Sequence, residues 1–233
     1  MLNGSRLIAV IPARGGSKSV PRKNLYPLAG KPLILWSIDI AKCVGGIDRV
    51  IVSTDDQEIA NVASAHGAEV YMRPAHLATD SALVIDTLKD LVATLIREGE
   101  TADWVILLEP TCPLRSVEDV EECMRVLRSG AFDSVATFKS ADLNPHRAWR
   151  IHQGIPEVFI PGAIPWLPRQ LLPPAYQLNG AVYVFRSNML GSDSRSILPG
   201  RIGAVVMPKE RSYDIDDPID FTVVEALLKE SEK

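Results

Sequence analysis

Short apolar runs alternate with amphipathic stretches of helical length through the first half of this 233-residue chain. Leu7 to Ile11 reads as a buried strand, Pro32 to Val44 as a helix burying Ile34, Ile38 and Ala41, and Val50 to Ser53 as a second strand. Asp55 is placed to cap the next helix, with Glu58 completing a capping box and Gly67 stopping it. Glu69 to Met72 reads as a third strand, Ser81 to Arg97 as a helix, and Trp104 to Leu108 as a fourth strand. Ser116 with Asp119 caps a helix whose core face is Val117, Val120, Met124 and Leu127. This alternation predicts an α/β fold, a mostly parallel sheet with helices on both faces. Right-handed crossovers and a ligand site at the carboxyl ends of the strands follow from that arrangement.

The regularity stops near Asp142. From there to Leu178 the chain carries seven prolines, several aromatics and no sustained period. The stretch is long for a connection and too apolar for a disordered linker. We expect residues 1–233 to form one domain, with 142–178 inserted as an arm that packs on a second subunit. Strands resume at Gly180 to Phe185 and Gly203 to Met207, and Phe221 to Leu228 closes the chain as a helix.

Composition excludes several classes of function. A net charge of −4 offers no basic excess for nucleic acid. No stretch approaches the ~20 apolar residues of a membrane span. The first residues, Met1 to Arg6, lack the pattern of an export signal. Cys43, Cys112 and Cys123 are odd in number and without metal-ligand spacing, as expected of free thiols in a reducing cytoplasm.

The segment Pro12 to Asn24, after the first strand, opens onto the expected ligand crevice. Gly15 and Gly16 let the backbone turn tightly and bring its N–H groups near a ligand. Arg14, Lys18, Arg22 and Lys23 add four cations. Point charges, guanidinium forks and free amides together suit phosphate oxygens, although a solvated basic loop has the same composition. The loop is neither Gly-x-Gly-x-x-Gly nor Gly-x-x-x-x-Gly-Lys-Ser/Thr, so two common nucleotide fingerprints are excluded.

Ile11-Pro12-Ala13-Arg14, Ser17-Lys18 and Pro21-Arg22-Lys23-Asn24 resemble the signature of acylneuraminate cytidylyltransferases, the CMP-sialic acid synthetase family. The resemblance continues at Ile51 to Asp55, Arg73-Pro74-Ala75, Pro110 to Arg115, Asn179-Gly180-Ala181 and Asp214-Ile215-Asp216, in the family's order over nearly the whole chain. It implies a nucleotide-diphosphosugar-transferase-like fold, a homodimer, and Mg²⁺-dependent use of CTP. It also implies that Arg14, Ser17, Lys18 and Lys23, with the amides of Gly15 and Gly16, hold the triphosphate. Asn24, Arg73 and Asp80 would complete the nucleotide site.

Asp214 and Asp216 are two apart in an extended segment, so their carboxylates share a face. An isolated Asp-x-Asp is usually a solvated turn; the resemblance makes these two the metal ligands. Two protein oxygens completed by phosphate and water suit Mg²⁺. Asp217, before Pro218 and three residues from Asp220, reads instead as a helix N-cap.

For the sugar, the resemblance implies Glu109, Arg147, Arg169, Gln170, Asn179 and Tyr183. Arg147 and Arg169 would reach the sugar carboxylate from the partner subunit's arm. The chain departs from the family at three places: Glu109 stands where glutamine is usual, Gln177 where arginine is frequent, and Leu83 and Val84 where small hydroxyl residues are common. These changes lead us to expect a legionaminic- or pseudaminic-type acid in place of N-acetylneuraminate. The expected reaction is attack of an acidic nine-carbon sugar's anomeric hydroxyl on the α-phosphorus of CTP. Lys23 would stabilise charge there, and pyrophosphate would leave. The rivals are a cytidylyltransferase for the eight-carbon acid Kdo and a CTP-binding protein without catalysis.

Overall fold

A computed structural model describes residues 5–191 and 195–231. Residues 1–4, on which most of the export reading rests, lie outside the described residues.

The chain opens with β1 (Leu7–Pro12). A small hairpin, β2 (Pro27–Leu28) with β3 (Lys31–Pro32), leads into α1 (Leu33–Cys43). Next come β4 (Arg49–Thr54), α2 (Gln57–Ala65), β5 (Glu69–Met72), α3 (Val84–Arg97), β6 (Trp104–Leu107) and α4 (Val117–Arg128). The second half contributes β7 (Ser134–Ser140), the hairpin β8 (Trp149–His152) with β9 (Ile155–Val158), β10 (Tyr176–Arg186), β11 (Ile202–Val206) and α5 (Pro218–Ser231).

Seven strands form one sheet in the order β11-β7-β10-β6-β1-β4-β5. Only β10 runs against its neighbours; the pairs β1–β4, β1–β6, β4–β5 and β11–β7 are parallel. The chain leaves β1 toward β4 and β5, then returns to the other side of β1 with β6. That reversal is a topological switch point. It sets the loops after β1 and β6 on either side of one crevice.

β1 is buried on both faces, and its alternate residues serve two cores. Leu7, Ala9 and Ile11 pack with α1, α2 and α4 through Ile34, Ile38, Ile59, Val120 and Met124. Ile8 and Val10 pack with Leu88, Leu91 and Leu95 of α3 and with Phe185. A third cluster, Val20, Leu28, Leu33, Ile215, Phe221 and Val224, clamps α5 beside the loop after β1. Truncating such a buried leucine or isoleucine to alanine costs about 2–5 kcal/mol.

Several local expectations need correction. Asp56, and not Asp55, caps α2, its carboxylate accepting the N–H groups of Glu58 and Ile59. Glu58 completes no box there and pairs instead with Arg22. The helix expected from Ser81 begins at Val84. The expected Ser116–Asp119 capping box is present on α4. Strand β7 was not anticipated. Its polar Ser134 and Thr137 are buried and satisfied: Ser134 Oγ donates to Pro199 O at 2.9 Å, and Thr137 Oγ1 bonds Asn179 Oδ1 at 2.6 Å. Inside 142–178, a hairpin turns at Gln153 and Gly154, both at positive φ, and exposes Trp149, Ile151 and Ile155; Phe159 and Trp166 in the segment after it are exposed as well. Trp149 and Trp166 lie against each other with ring centroids 5.9 Å apart.

Candidate active site

At the carboxyl ends of β1, β5 and β6 lies a cavity of about 330 Å³. Arg14, Ser17, Lys23 and Asn24 line it from the loop after β1. Arg73 and Asp80 line it from the segment after β5, and Glu109 and Thr111 from the turn after β6. Seven of the residues expected around CTP or the sugar therefore converge on one space.

The loop after β1 is held by its neighbours. Gly15 N–H donates to Asp55 Oδ1 at 3.0 Å, and a side chain at Gly15 would collide with Asp56, 2.8 Å from where its Cβ would stand. Glycine is required here by that close approach. Asn24 is buried and donates through Nδ2 to Arg14 O at 3.0 Å. Asp80 accepts from Arg14 Nη1 at 3.0 Å and from Lys18 Nζ at 2.6 Å, and this pairing, led by Lys18, holds its carboxyl below the usual range. One carboxylate, Asp80, thus occupies two cations of the loop.

Lys23 reaches across to the acidic segment. Its Nζ donates to Ile215 O at 2.9 Å and lies 3.3 Å from Asp216 Oδ1. Asp214 keeps solvent-exposed surface, but the protein packed around it desolvates its carboxyl and raises it above the usual range. A hydrogen bond from Thr111 opposes that shift, and Asp216 adds to it. The segment is fastened by Ile215 N–H to Thr111 O at 2.8 Å, and by Asp220, whose Oδ2 accepts the N–H groups of Asp216 and Asp217. Helix α5 starts at Pro218, as expected.

Glu109 sits at the meeting point. Burial pushes its carboxyl up to about 7, the Asp214 carboxylate adds to the shift, and Arg115 opposes it. Burial thus favours the neutral form of Glu109. Opposite it, β10 bulges between Leu178 and Tyr183, with Gly180 at φ +74°. A Cβ at Gly180 would come within 3.0 Å of both Glu109 Oε2 and Cys112 Sγ.

The remaining sugar candidates lie elsewhere. Arg147, Arg169 and Gln170 line a second cavity of about 440 Å³ in the arm, which shares no lining residue with the first. Asn179 is buried with its amide engaged internally: Oδ1 accepts from Thr137 and Ala181 N–H, and Nδ2 donates to Ser212 Oγ at 3.0 Å. Tyr183 is buried on β10, its hydroxyl pushed up by burial and by nearby Glu109. Neither lines the first cavity.

Sequence reasoning missed Asp55, Thr111 and Arg115 as supports of the site. Each lies inside a segment that carried the family resemblance, but each also bonds a segment distant in sequence: Asp55 to Gly15, Thr111 to Ile215, and Arg115 to Ser37 and Ala181.

Comparison with known proteins agrees with this geometry. Residues 8–199 match the family described as cytidylyltransferase. The post-translational flagellin modification protein B of Campylobacter coli is 32% identical over 97% of this chain and 96% of its own. The CMP-N,N'-diacetyllegionaminic acid synthase of Legionella pneumophila is 34% identical over 96% and 97%. An N-acylneuraminate cytidylyltransferase of Streptococcus agalactiae is 34% identical over 92% of this chain, which spans 51% of that protein. A solved CMP:2-keto-3-deoxy-manno-octonic acid synthetase complexed with CTP superposes with a TM-score of 0.68 at 22% identity, covering 97% of this chain and all of the other. A 4-diphosphocytidyl-2C-methyl-D-erythritol synthase superposes at 0.67 with 14% identity, covering 96% and 99%. At those identities the two structures speak for the fold, while the family match and the near full-length relatives carry the assignment. The chain belongs to the cytidylyltransferase family.

Proposed function

We propose that the protein is a CMP-nonulosonate synthetase. It transfers CMP from CTP to the anomeric hydroxyl of an acidic nine-carbon sugar of legionaminic or pseudaminic type and releases pyrophosphate. The convergence of Arg14, Ser17, Lys23 and Glu109 on one cavity carries this reading. The Legionella and Streptococcus relatives, a CMP-N,N'-diacetyllegionaminic acid synthase and an N-acylneuraminate cytidylyltransferase, support a nine-carbon acidic sugar. Arg14, Ser17 and Lys18, with the loop amides, bind the triphosphate, displacing Asp80 from the cations it now holds. Lys23 faces the α-phosphate. Its ammonium is mostly enclosed, so its charge acts through little water. Arg73 and Asn24 bound the nucleoside end.

Asp214 and Asp216 fit a divalent cation. Among the described residues no group of three or more His, Cys, Asp or Glu side chains could hold a metal alone. Two carboxylates therefore need phosphate oxygens and water to complete a shell, which is how Mg²⁺ is commonly held. Asp214 lies near both Asp216 and Glu109, so a cation between the aspartates would relieve the mutual repulsion of neighbouring carboxylates. When bound, Mg²⁺ neutralises triphosphate charge and polarises phosphoryl oxygens.

The arm completes the site of a second copy in this reading. Its exposed Trp149, Ile151, Phe159 and Trp166 form an apolar surface suited to a homodimer, and its cavity collects Arg147, Arg169 and Gln170 for the sugar carboxylate. Free thiols at Cys43, Cys112 and Cys123 suit a cytoplasmic setting, and among the described residues no helix is long and apolar enough to cross a membrane.

The reaction is tested by placing an isotopic oxygen label on the sugar's anomeric hydroxyl. Attack on the α-phosphorus leaves the label bridging sugar and CMP; label appearing in pyrophosphate, or no CMP-sugar at all, overturns the reading.

A further inference from the structure

Arg115 is only 2% exposed, yet no carboxylate bonds its guanidinium among the described residues. Its hydrogen bonds go to backbone carbonyls and one hydroxyl. Nε donates to Cys112 O at 3.1 Å, Nη1 to Ala181 O at 2.8 Å, and Nη2 to Ser37 Oγ at 3.0 Å and to Glu109 O. Burying a charge without an ion-pair partner is costly, so a chain keeps one where its donors are needed.

Those four acceptors belong to three pieces of the site. Glu109 and Cys112 are the ends of the turn after β6, Ala181 lies on β10 beside the bulge, and Ser37 lies on α1. The turn carries Thr111, whose carbonyl accepts Ile215 N–H at 2.8 Å between the two aspartates. Arg115 is itself followed by Ser116, the cap of α4, so the fork projects from a rigid helix start. The same first turn supplies Asp119, which binds Arg211 through two bonds of 3.1 and 2.7 Å, just ahead of Asp214. One helix end therefore holds both walls.

We propose that Arg115 is a positioning residue for cytidylyl transfer. Its planar fork locks the Glu109–Cys112 turn to β10 and thereby sets where Asp214 and Glu109 face the reacting phosphate. This rests on the transfer reading above. A lysine could satisfy only part of the set, since an ammonium lacks the fork.

The test compares Arg115→Met, Arg115→Lys and Ser37→Ala with Leu95→Ala, a core change in α3 remote from these bonds, at a temperature where each is folded. Arg115→Met is expected to lose about 100-fold in kcat, the scale of a small misplacement of reacting groups. Its KM for CTP should change little, because Arg115 does not line the nucleotide cavity. Arg115→Lys recovers part of kcat, Ser37→Ala loses severalfold, and Leu95→Ala keeps kcat despite its lower Tm. If Arg115→Met does not fold, Ser37→Ala decides. Unchanged kcat in the folded variants, or an equal loss in Leu95→Ala, overturns the positioning role while the active parent leaves the transfer reading intact. A parent protein that forms no CMP-sugar overturns both.

Discussion

Lys23 and Asp216, 193 positions apart in sequence, meet at 3.3 Å across the mouth of the cavity. The contact joins the cationic loop to the acidic segment before any ligand enters. With Asp80 pairing Arg14 and Lys18, and Glu58 pairing Arg22, it leaves each of the loop's four cations beside a carboxylate. In the proposed transfer, Lys23 would turn to phosphate and Asp216 to a metal ion.

Replacing Lys23 with methionine should therefore remove charge stabilisation at the transferred phosphorus and keep the stem's packing. We expect kcat to fall by about 10²–10³, the range for removing one preorganised donor. Steady-state kinetics with saturating CTP checks this; a change confined to KM would assign Lys23 to ground-state binding.

Asp214→Asn and Asp216→Asn should each raise the Mg²⁺ concentration needed for half-maximal rate, with Asp214 the more damaging because its carboxyl is the more desolvated and is held by Thr111. Magnesium titrations of initial rate read the effect. Removing metal with a chelator should abolish turnover in the parent protein, and full activity in the chelator would contradict the metal assignment.

Glu109 gives the protein a pH dependence that can be measured without substrate. Its carboxyl is raised from 4.5 to about 7 in the folded chain. A raised carboxyl binds its proton more tightly when folded, so the unfolded state loses its proton first. Stability is highest below the unfolded value and falls as pH rises from about 4.5 to about 7. The full loss is about 3 kcal/mol. Denaturant melts in metal-free buffer should show Glu109→Gln flattening the decline between pH 5 and 7.5, by about that amount. Parallel curves for the two proteins would contradict the burial-driven shift.

Breaking the α2 cap with Asp56→Ala should cost about 1 kcal/mol, the usual value for an N-cap. Asp55→Ala should leave α2 capped and instead weaken CTP binding, because Asp55 holds Gly15. Thermal melts and CTP titrations on both variants separate the roles.

The contrast between these neighbours shows what the sequence could and could not convey. Alternating periods made β1, α1, β4 and β6 readable, because burial on fixed faces writes itself into residue spacing. Which of Asp55 and Asp56 would cap α2 depended on where the backbone turned at the end of β4, and spacing alone is silent there. The cationic loop was legible as a phosphate site through its glycines and charges. Arg115 was not legible as a support, since its four partners come from three separate segments. Asn179 was read as a sugar contact, but its amide is consumed by Thr137, Ala181 and Ser212. Strand β7 escaped notice because buried Ser134 and Thr137 interrupt its apolar pattern, their hydroxyls satisfied only in three dimensions.

In the arm, Trp166→Glu and Ile151→Glu should convert a dimer to monomer, as a charge on an apolar contact surface would. Sedimentation of both variants beside the parent checks it, and kcat/KM for the acidic sugar should fall with dissociation. A monomeric parent with full activity would contradict the shared-site arrangement.

The most direct measurement is pyrophosphate release with CTP and Mg²⁺ across N-acetylneuraminate, legionaminate, pseudaminate, Kdn and Kdo. The account predicts turnover with a nine-carbon acid, the highest kcat/KM falling on a legionaminic- or pseudaminic-type sugar. Release with Kdo alone, or none across the panel while CTP still binds, would contradict it.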